Sequence, residues 1–533
     1  MVVSKLQLRL MEHFVRAMDR HCVATLLTLL LIVPCVRAEG LDSPVPAGDY
    51  GVALKWLGDE LSASGKNQPL LIVWLFDESD SMKDDRHEIS GRLAEFYEGL
   101  DAQSETLVVG FGDSIHPVMK NPESDVDAVR KAISRIPVDR TGREKMCRAV
   151  GMSVQAYGKI ARERKLRMVL VVVTDESPSD SGDTQPGDNR LEQSILLCQR
   201  AKVPVYVLGQ ESVFGNAHTR LRWIDPIYRL NHWVRINRGP DSAFPERLMW
   251  SGLGPLNDNV LSGFGPYSQE RMCQATGGAY FTLMPQPNLK GFQDRRHSMA
   301  GYEPDLIPRR EYQVATARSR FRAVCREVLQ KLNSTTDAKL NLRELHFSAE
   351  PAAFSKQAAR ELEKAAYTWT LLNAAIELLE EVRELRGSEP SKRWQANYDL
   401  LQAQCLTYRA RLPQYMIALN RHAGQTPKTV DPKHNRWMIN ADRRPTDPTD
   451  RQHARLKTLL GLDESRGAMI DRFASDRAAA IKALDHVITE HPGTPWSVAA
   501  RSQKLRDIGL KFRSYFHDPR YQEIGKRIKV PVL

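Results

Sequence analysis

Apolar residues run without interruption from Leu70 to Phe76 and stop at Asp77-Glu78-Ser79-Asp80-Ser81. A strand apolar on both faces fits the middle of a parallel sheet covered by helices, and such sheets bind ligands beyond the carboxyl ends of their strands. The blocks Thr106–Phe111, Met168–Thr174 and Val203–Leu208 repeat this strand pattern. Between them the spacing changes to three and four: Ile89, Leu93, Phe96 and Leu100 form one stripe, and 126–136, 146–164 and 191–201 read as further helices. Tyr267–Thr276 returns to helix before a closing strand, Gly277–Phe281. The alternation predicts an α/β fold over 68–284, a doubly wound and mostly parallel sheet flanked by helices. A stretch at 210–265, rich in Trp, Arg, Pro and Gly and including Trp223, Trp233, Arg235, Arg238 and Trp250, interrupts it. It reads as an ordered insertion, either a partner-binding surface or a covering flap.

Beyond residue 284 the period stays helical, which predicts an all-α C-terminal region. After a linker at 285–308 and a helix at 309–332, two heptad-like stripes follow, Leu362-Ala365-Trp369-Leu372-Ile376-Leu379 and Trp394-Tyr398-Leu401-Cys405-Tyr408-Leu412. Joined by Gly387–Ser391, they predict an antiparallel coiled-coil hairpin within 285–423. Residues 424–450, crowded with Pro, Asp and Thr, read as an exposed linker. Residues 451–533 read as helical, with a helix pair around His491–Trp496 that resembles one tetratricopeptide-type unit.

At the other end, Lys5, Arg9, Arg16 and Arg20 precede an apolar block, Val23–Val33, and Val36-Arg37-Ala38 offers a small-residue cleavage site. Residues 1–38 therefore read as a signal peptide, with 39–67 as linker and lead-in, and the chain as exported: periplasmic or secreted, with an uncleaved membrane anchor as the alternative. No transmembrane span is expected after signal removal. Losing 1–38 lowers the net charge from +11 to +8. That mild excess has no Lys/Arg block and no aromatic-basic interleaving, so nucleic acid is not the expected partner. The five cysteines that remain after signal removal, Cys147, Cys198, Cys273, Cys325 and Cys405, are odd in number and lack metal-ligand spacing, which predicts buried free thiols.

The chemistry lies in the polar cup. Asp77, Ser79 and Ser81 alternate in one tight loop, so three oxygen side chains can turn toward one point, as a small hard cation requires. This D-x-S-x-S arrangement after a hydrophobic strand resembles the metal-ion-dependent adhesion site of the von Willebrand factor type A domain. The resemblance covers about 68–284 and implies a second acidic residue at a later strand end, which Asp175 supplies. It also implies a Thr in an intermediate loop, where this chain has Gly142-Arg143-Glu144 with Thr141 nearby; either Glu144 or Thr141 is the candidate ligand. The implied cation is Mg²⁺, or Mn²⁺ or Ca²⁺, and the implied partner is a protein presenting an acidic residue. A metal-dependent protein-binding module, adhesive or scaffolding, is thus expected rather than an enzyme. The alternatives are a metal-dependent hydrolase, which would need an acid-base pair the pattern does not supply, or a type A scaffold without metal. Oligomeric state is left open.

Overall fold

The computed structural model describes residues 45–65, 68–182, 190–215, 218–256, 259–284 and 299–530. The signal-peptide reading at 1–38 and most of the 285–308 linker lie outside the described residues. Nine strands and six helices build the first part: β1 (Val45–Gly48), α1 (Tyr50–Gly65), β2 (Leu70–Asp77), α2 (Lys83–Glu98), β3 (Glu105–Phe111), β4 (Ile115–Pro117), α3 (Val126–Ser134), α4 (Met146–Glu163), β5 (Arg167–Thr174), α5 (Leu191–Ala201), β6 (Val205–Gln210), β7 (His218–Ile224), β8 (Asn231–Asn237), α6 (Tyr267–Thr276) and β9 (Tyr280–Leu283).

Seven of the strands form one sheet in the order β1-β9-β6-β5-β2-β3-β4, parallel except where β4 turns back on β3. Every residue of β2 is buried, because its neighbours β3 and β5 cover both edges while helices cover both faces. Helices α1, α2 and α3 pack side by side, and α4, α5 and α6 do the same. This is the doubly wound sheet that the apolar blocks predict. One element differs: Val45–Gly48, within the expected lead-in, is an edge strand paired with β9. Its backbone groups complete the sheet, which a four-residue stretch does without needing an apolar run.

The second part contains α7 (Arg309–Arg318), α8 (Arg320–Lys331), β10 (Phe347–Ser348), α9 (Pro351–Glu381), α10 (Lys392–Gln425), β11 (Arg436–Asp442), α11 (Asp450–Leu460), α12 (Arg466–Glu490), α13 (Pro495–Leu505) and β12 (Gly509–Tyr515). Helices α9 and α10 form the expected hairpin, and α10 also packs on α12, α13 and β12, so it is buried on almost every side. That breadth exceeds a two-helix seam, and Met416 and Ile417, outside the heptad positions, are as buried as Leu412. The structure departs from the reading at 424–450, where β11 lies between β10 and β12 in a small antiparallel sheet. Arg436–Asp442 alternates buried and partly exposed residues, as a strand with one solvated face does. The 451–533 segment, read above as helical, ends its last helix at Leu505 and continues into the strand β12. The five cysteines among the described residues are buried free thiols.

The insertion joins the two parts. It forms the β7–β8 hairpin and then an irregular segment whose Trp250 is fully buried, its indole Nε1 donating to Leu340 O at 2.9 Å and its ring edge-on to Tyr408. From α10, Arg393 reaches Asp241 at 3.0 Å and Glu246 at 2.7 Å, all three side chains almost wholly buried. Glu246 also accepts from Tyr312 at 2.6 Å and Asn397 at 2.9 Å. This segment is a contact layer between sheet and helices. No helix among the described residues is long and apolar enough to cross a membrane.

Candidate metal centre

Asp77 is the last residue of β2 and Thr174 the last of β5, neighbouring parallel strands that end side by side. The pairing puts the Thr174 hydroxyl 2.7 Å from Asp77 Oδ2, to which it donates. Asp77 Oδ1 accepts the backbone N–H of Ser79 at 2.8 Å, a two-residue turn that swings the chain into the 3-10 turn Asp80–Met82. There the Ser79 and Ser81 hydroxyls come within 3.0 Å of each other, and Ser81 donates to Asp175 Oδ1 at 3.3 Å. Arg86, from α2, pins this loop from below: its Nη1 donates to the Asp77 carbonyl at 2.6 Å and lies 3.4 Å from that of Ser79. Four of the sequence-predicted residues, Asp77, Ser79, Ser81 and Asp175, are thus brought together.

The third loop resolves into unlike neighbours. Glu144 is 4% exposed, whereas Thr141 is exposed and bound by backbone and side chain to Asp139. Glu144 is held by its backbone carbonyl, which accepts from the N–H and hydroxyl of Ser179 in the loop after β5. Asp180 of the same loop caps α4, accepting from Cys147 N and Arg148 N at 3.1 and 2.8 Å. These two ties lock the third loop to the Asp175 loop and turn the Glu144 carboxyl toward the other acids.

Two residues enter that sequence reasoning did not single out as ligands. Glu176, adjacent to Asp175, is buried, and its Oε1 has no hydrogen-bond partner. Arg238, just after β8, is buried too; it lies 3.8 Å from Asp175 Oδ2 and hydrogen-bonds Gln210. The doublet Asp175-Glu176 is a signal for the first, but nothing local marks Arg238.

Burial of so many acids has an electrostatic consequence. Burial first, and the Asp175 charge second, push the Asp77 carboxyl from the ordinary 3.8 up to about 7. Glu144 is pushed well above the carboxylate range by burial and then by Asp77 and Asp175. Glu176 is pushed well above it too, by burial and then by Glu144 and Asp175, with Arg238 opposing. A divalent cation fits such a set: hard oxygen donors, two of them hydroxyls, among four buried acids that outnumber the two buried arginines beside them, Arg86 and Arg238. Among the described residues no three His, Cys, Asp or Glu side chains are grouped to hold a metal by themselves.

The rest of the cup is shaped by close approach. Glu78 turns away from the cluster to His116 on β4, at 2.8 Å, and a Cβ at Gly110 would stand 2.1 Å from its Oε1. Gly110 is thus required where the Glu78 carboxylate crosses β3.

The family model for the von Willebrand factor type A domain matches residues 72–222. This part of the chain is a von Willebrand factor type A domain. The matched stretch runs from β2 into β7; β9 and β1 complete the seven-stranded sheet from outside it, β8 pairs only with β7, and the helical region is also outside. Among solved structures, the crystal structure of the SpRpn10 VWA domain aligns at 11% identity with a TM-score of 0.26, covering 42% of this chain and 91% of that one. No curated protein matches the chain.

Proposed function

We propose that the type A domain is a divalent-metal-dependent protein-binding module acting outside the cytoplasm. The observation that carries this reading is the meeting of Asp77, Ser79, Ser81 and Asp175 within hydrogen-bond reach at the carboxyl ends of β2 and β5, in a fold whose members often mediate protein–protein contacts. Ser79, Ser81, Asp77 and Asp175 would hold Mg²⁺, Mn²⁺ or Ca²⁺, and the cation would offer a coordination position to an acidic residue of the partner. Glu144, inside the cluster, adds negative charge and weakens the cation's pull on that incoming carboxylate. The leader-like pattern of 1–38 supports placing the domain outside the cytoplasm. Binding is favoured over hydrolysis because Ser79 stands where a second aspartate would assist an aspartyl nucleophile, and His116 is engaged by Glu78.

Calorimetric titration of Mg²⁺ and Mn²⁺ into the full chain and its Asp77→Ala variant tests this. Binding in the parent that disappears in the variant is the expected result. Binding in neither, or undiminished binding in the variant, overturns it.

A further inference from the structure

The β7–β8 hairpin presents a face that the metal centre does not use. Thr219, Leu221, Val234 and Ile236 point inward and are buried, so the alternate residues Arg220, Arg222, Trp233 and Arg235 share the outer face. The register sets Arg220 directly opposite Arg235 and Arg222 opposite Trp233. Like charges directly opposite in a ladder are destabilising, yet neither Arg220 nor Arg235 has an ion-pair partner among the described residues.

No acid of the hairpin relieves them. Its single acidic residue, Asp225, is fully buried in the turn, its carboxylate taken by the N–H groups of Ile227, Tyr228 and Leu230. Beside the hairpin, Glu523 is engaged by Tyr228 and Arg527, and Asp518 by Arg520. Apolar side chains are left out instead: Trp233 is 56% exposed, Ile227 65% and Ile224 41%. A ladder that places two arginines about 5 Å apart, a third about 7 Å along the strand, and a tryptophan beside it is built for paired oxyanions next to an apolar group.

We propose that this ribbon docks an acidic polypeptide segment, with the Arg220–Arg235 pair clamping a carboxylate and Trp233 covering the adjacent side chain. Arginine and tryptophan together are what protein interfaces concentrate at their energetic centres. An extended strand with acids at alternate positions repeats every 7 Å or so, matching Arg220 and Arg222. The cluster is peptide-sized, without the long basic stripe that a nucleic-acid backbone calls for. It stands apart from the metal reading and does not depend on it.

A fluorescein-labelled decapeptide alternating glutamate and valine, followed by fluorescence anisotropy against the full chain, tests the assignment. Binding is expected at about 50 mM salt and should weaken roughly 10-fold or more at about 300 mM, as exposed charge pairing is screened. The Arg220→Gln/Arg235→Gln double variant should bind about 10-fold more weakly or worse, Arg220→Lys/Arg235→Lys should retain part of the affinity, and Asp77→Ala should bind like the parent. The Lys pair, which keeps the charge, controls for folding. The proposal is overturned if the parent does not bind, if the Gln pair binds equally well, or if Asp77→Ala abolishes binding, which would place the acids at the metal centre. Tighter, ribbon-dependent binding of a short single-stranded DNA, or of vesicles one-third phosphatidylglycerol in phosphatidylcholine, would overturn the polypeptide assignment.

Discussion

Replacing Asp77 with asparagine should stabilise the metal-free protein at pH 8 and leave it little changed at pH 5. The Asp77 carboxyl titrates near 7 in the fold against an ordinary 3.8, through burial and the Asp175 charge. Its folded pKa is raised, so the native state holds the proton more tightly, and stability falls as pH rises from about 4 to about 7. At about 1.4 kcal/mol per pKa unit, ionising this buried group costs the metal-free fold on the order of 4 kcal/mol above pH 7. Asparagine never ionises and escapes that cost, but it gives up charge-assisted acceptance from Ser79 N–H and the Thr174 hydroxyl, a loss of roughly 1–2 kcal/mol. The net expectation is a gain of about 2 kcal/mol at pH 8 and roughly no change at pH 5, where the linkage cost to the parent is only about 1.6 kcal/mol and is offset by the lost hydrogen bonding. Urea denaturation of both proteins with EDTA at the two pH values measures how the difference grows with pH. Added Mg²⁺ should then stabilise the parent at pH 8 and leave the variant unchanged, because ligand binding stabilises only the state that binds. A variant less stable than the parent by the same amount at both pH values would refute the charge-repulsion argument.

Other substitutions test the surrounding parts. Arg393→Met leaves Asp241 and Glu246 buried without their cation and should cost about 3–5 kcal/mol by urea denaturation, while Arg383→Met, at an exposed ion pair, should leave the midpoint unchanged. Gly110→Ala drives a methyl group into the Glu78 carboxylate and should cost about 1–3 kcal/mol, whereas Gly91→Ala, in an exposed turn of α2 with nothing within 4 Å, should stabilise by up to roughly 1 kcal/mol. Arg238→Gln removes a positive charge 3.8 Å from Asp175 and, on the proposed reading, should raise Mn²⁺ affinity about 10-fold in a calorimetric titration. Glu144→Gln should lower that affinity and Thr141→Ala leave it unchanged; the reverse order would assign the third-loop donor to Thr141.

What the chain determines locally is what depends on neighbours close in sequence. A run such as Leu70–Phe76, apolar on both faces, has only the centre of a covered sheet as a stable place, so the strands, their alternation with helices, and the acids at the ends of β2 and β5 are legible from the residues alone. The serine spacing after Asp77 is equally local, because one turn closes it. Segments whose stability is borrowed are not legible. Val45–Gly48 and Arg436–Asp442 are strands because β9, β10 and β12 offer unpaired backbone groups, and no apolar run announces them. The frame Gly142-Arg143-Glu144 cannot say whether Glu144 or Thr141 faces inward; that follows from Ser179 holding the Glu144 carbonyl and Asp180 capping α4, contacts between distant loops. Arg238 beside Asp175 and Arg393 between Asp241 and Glu246 are further still from any local rule. Burying a charge is tolerable only against an opposite one, and which opposite charge lies within reach is decided by how the insertion folds back between sheet and helices.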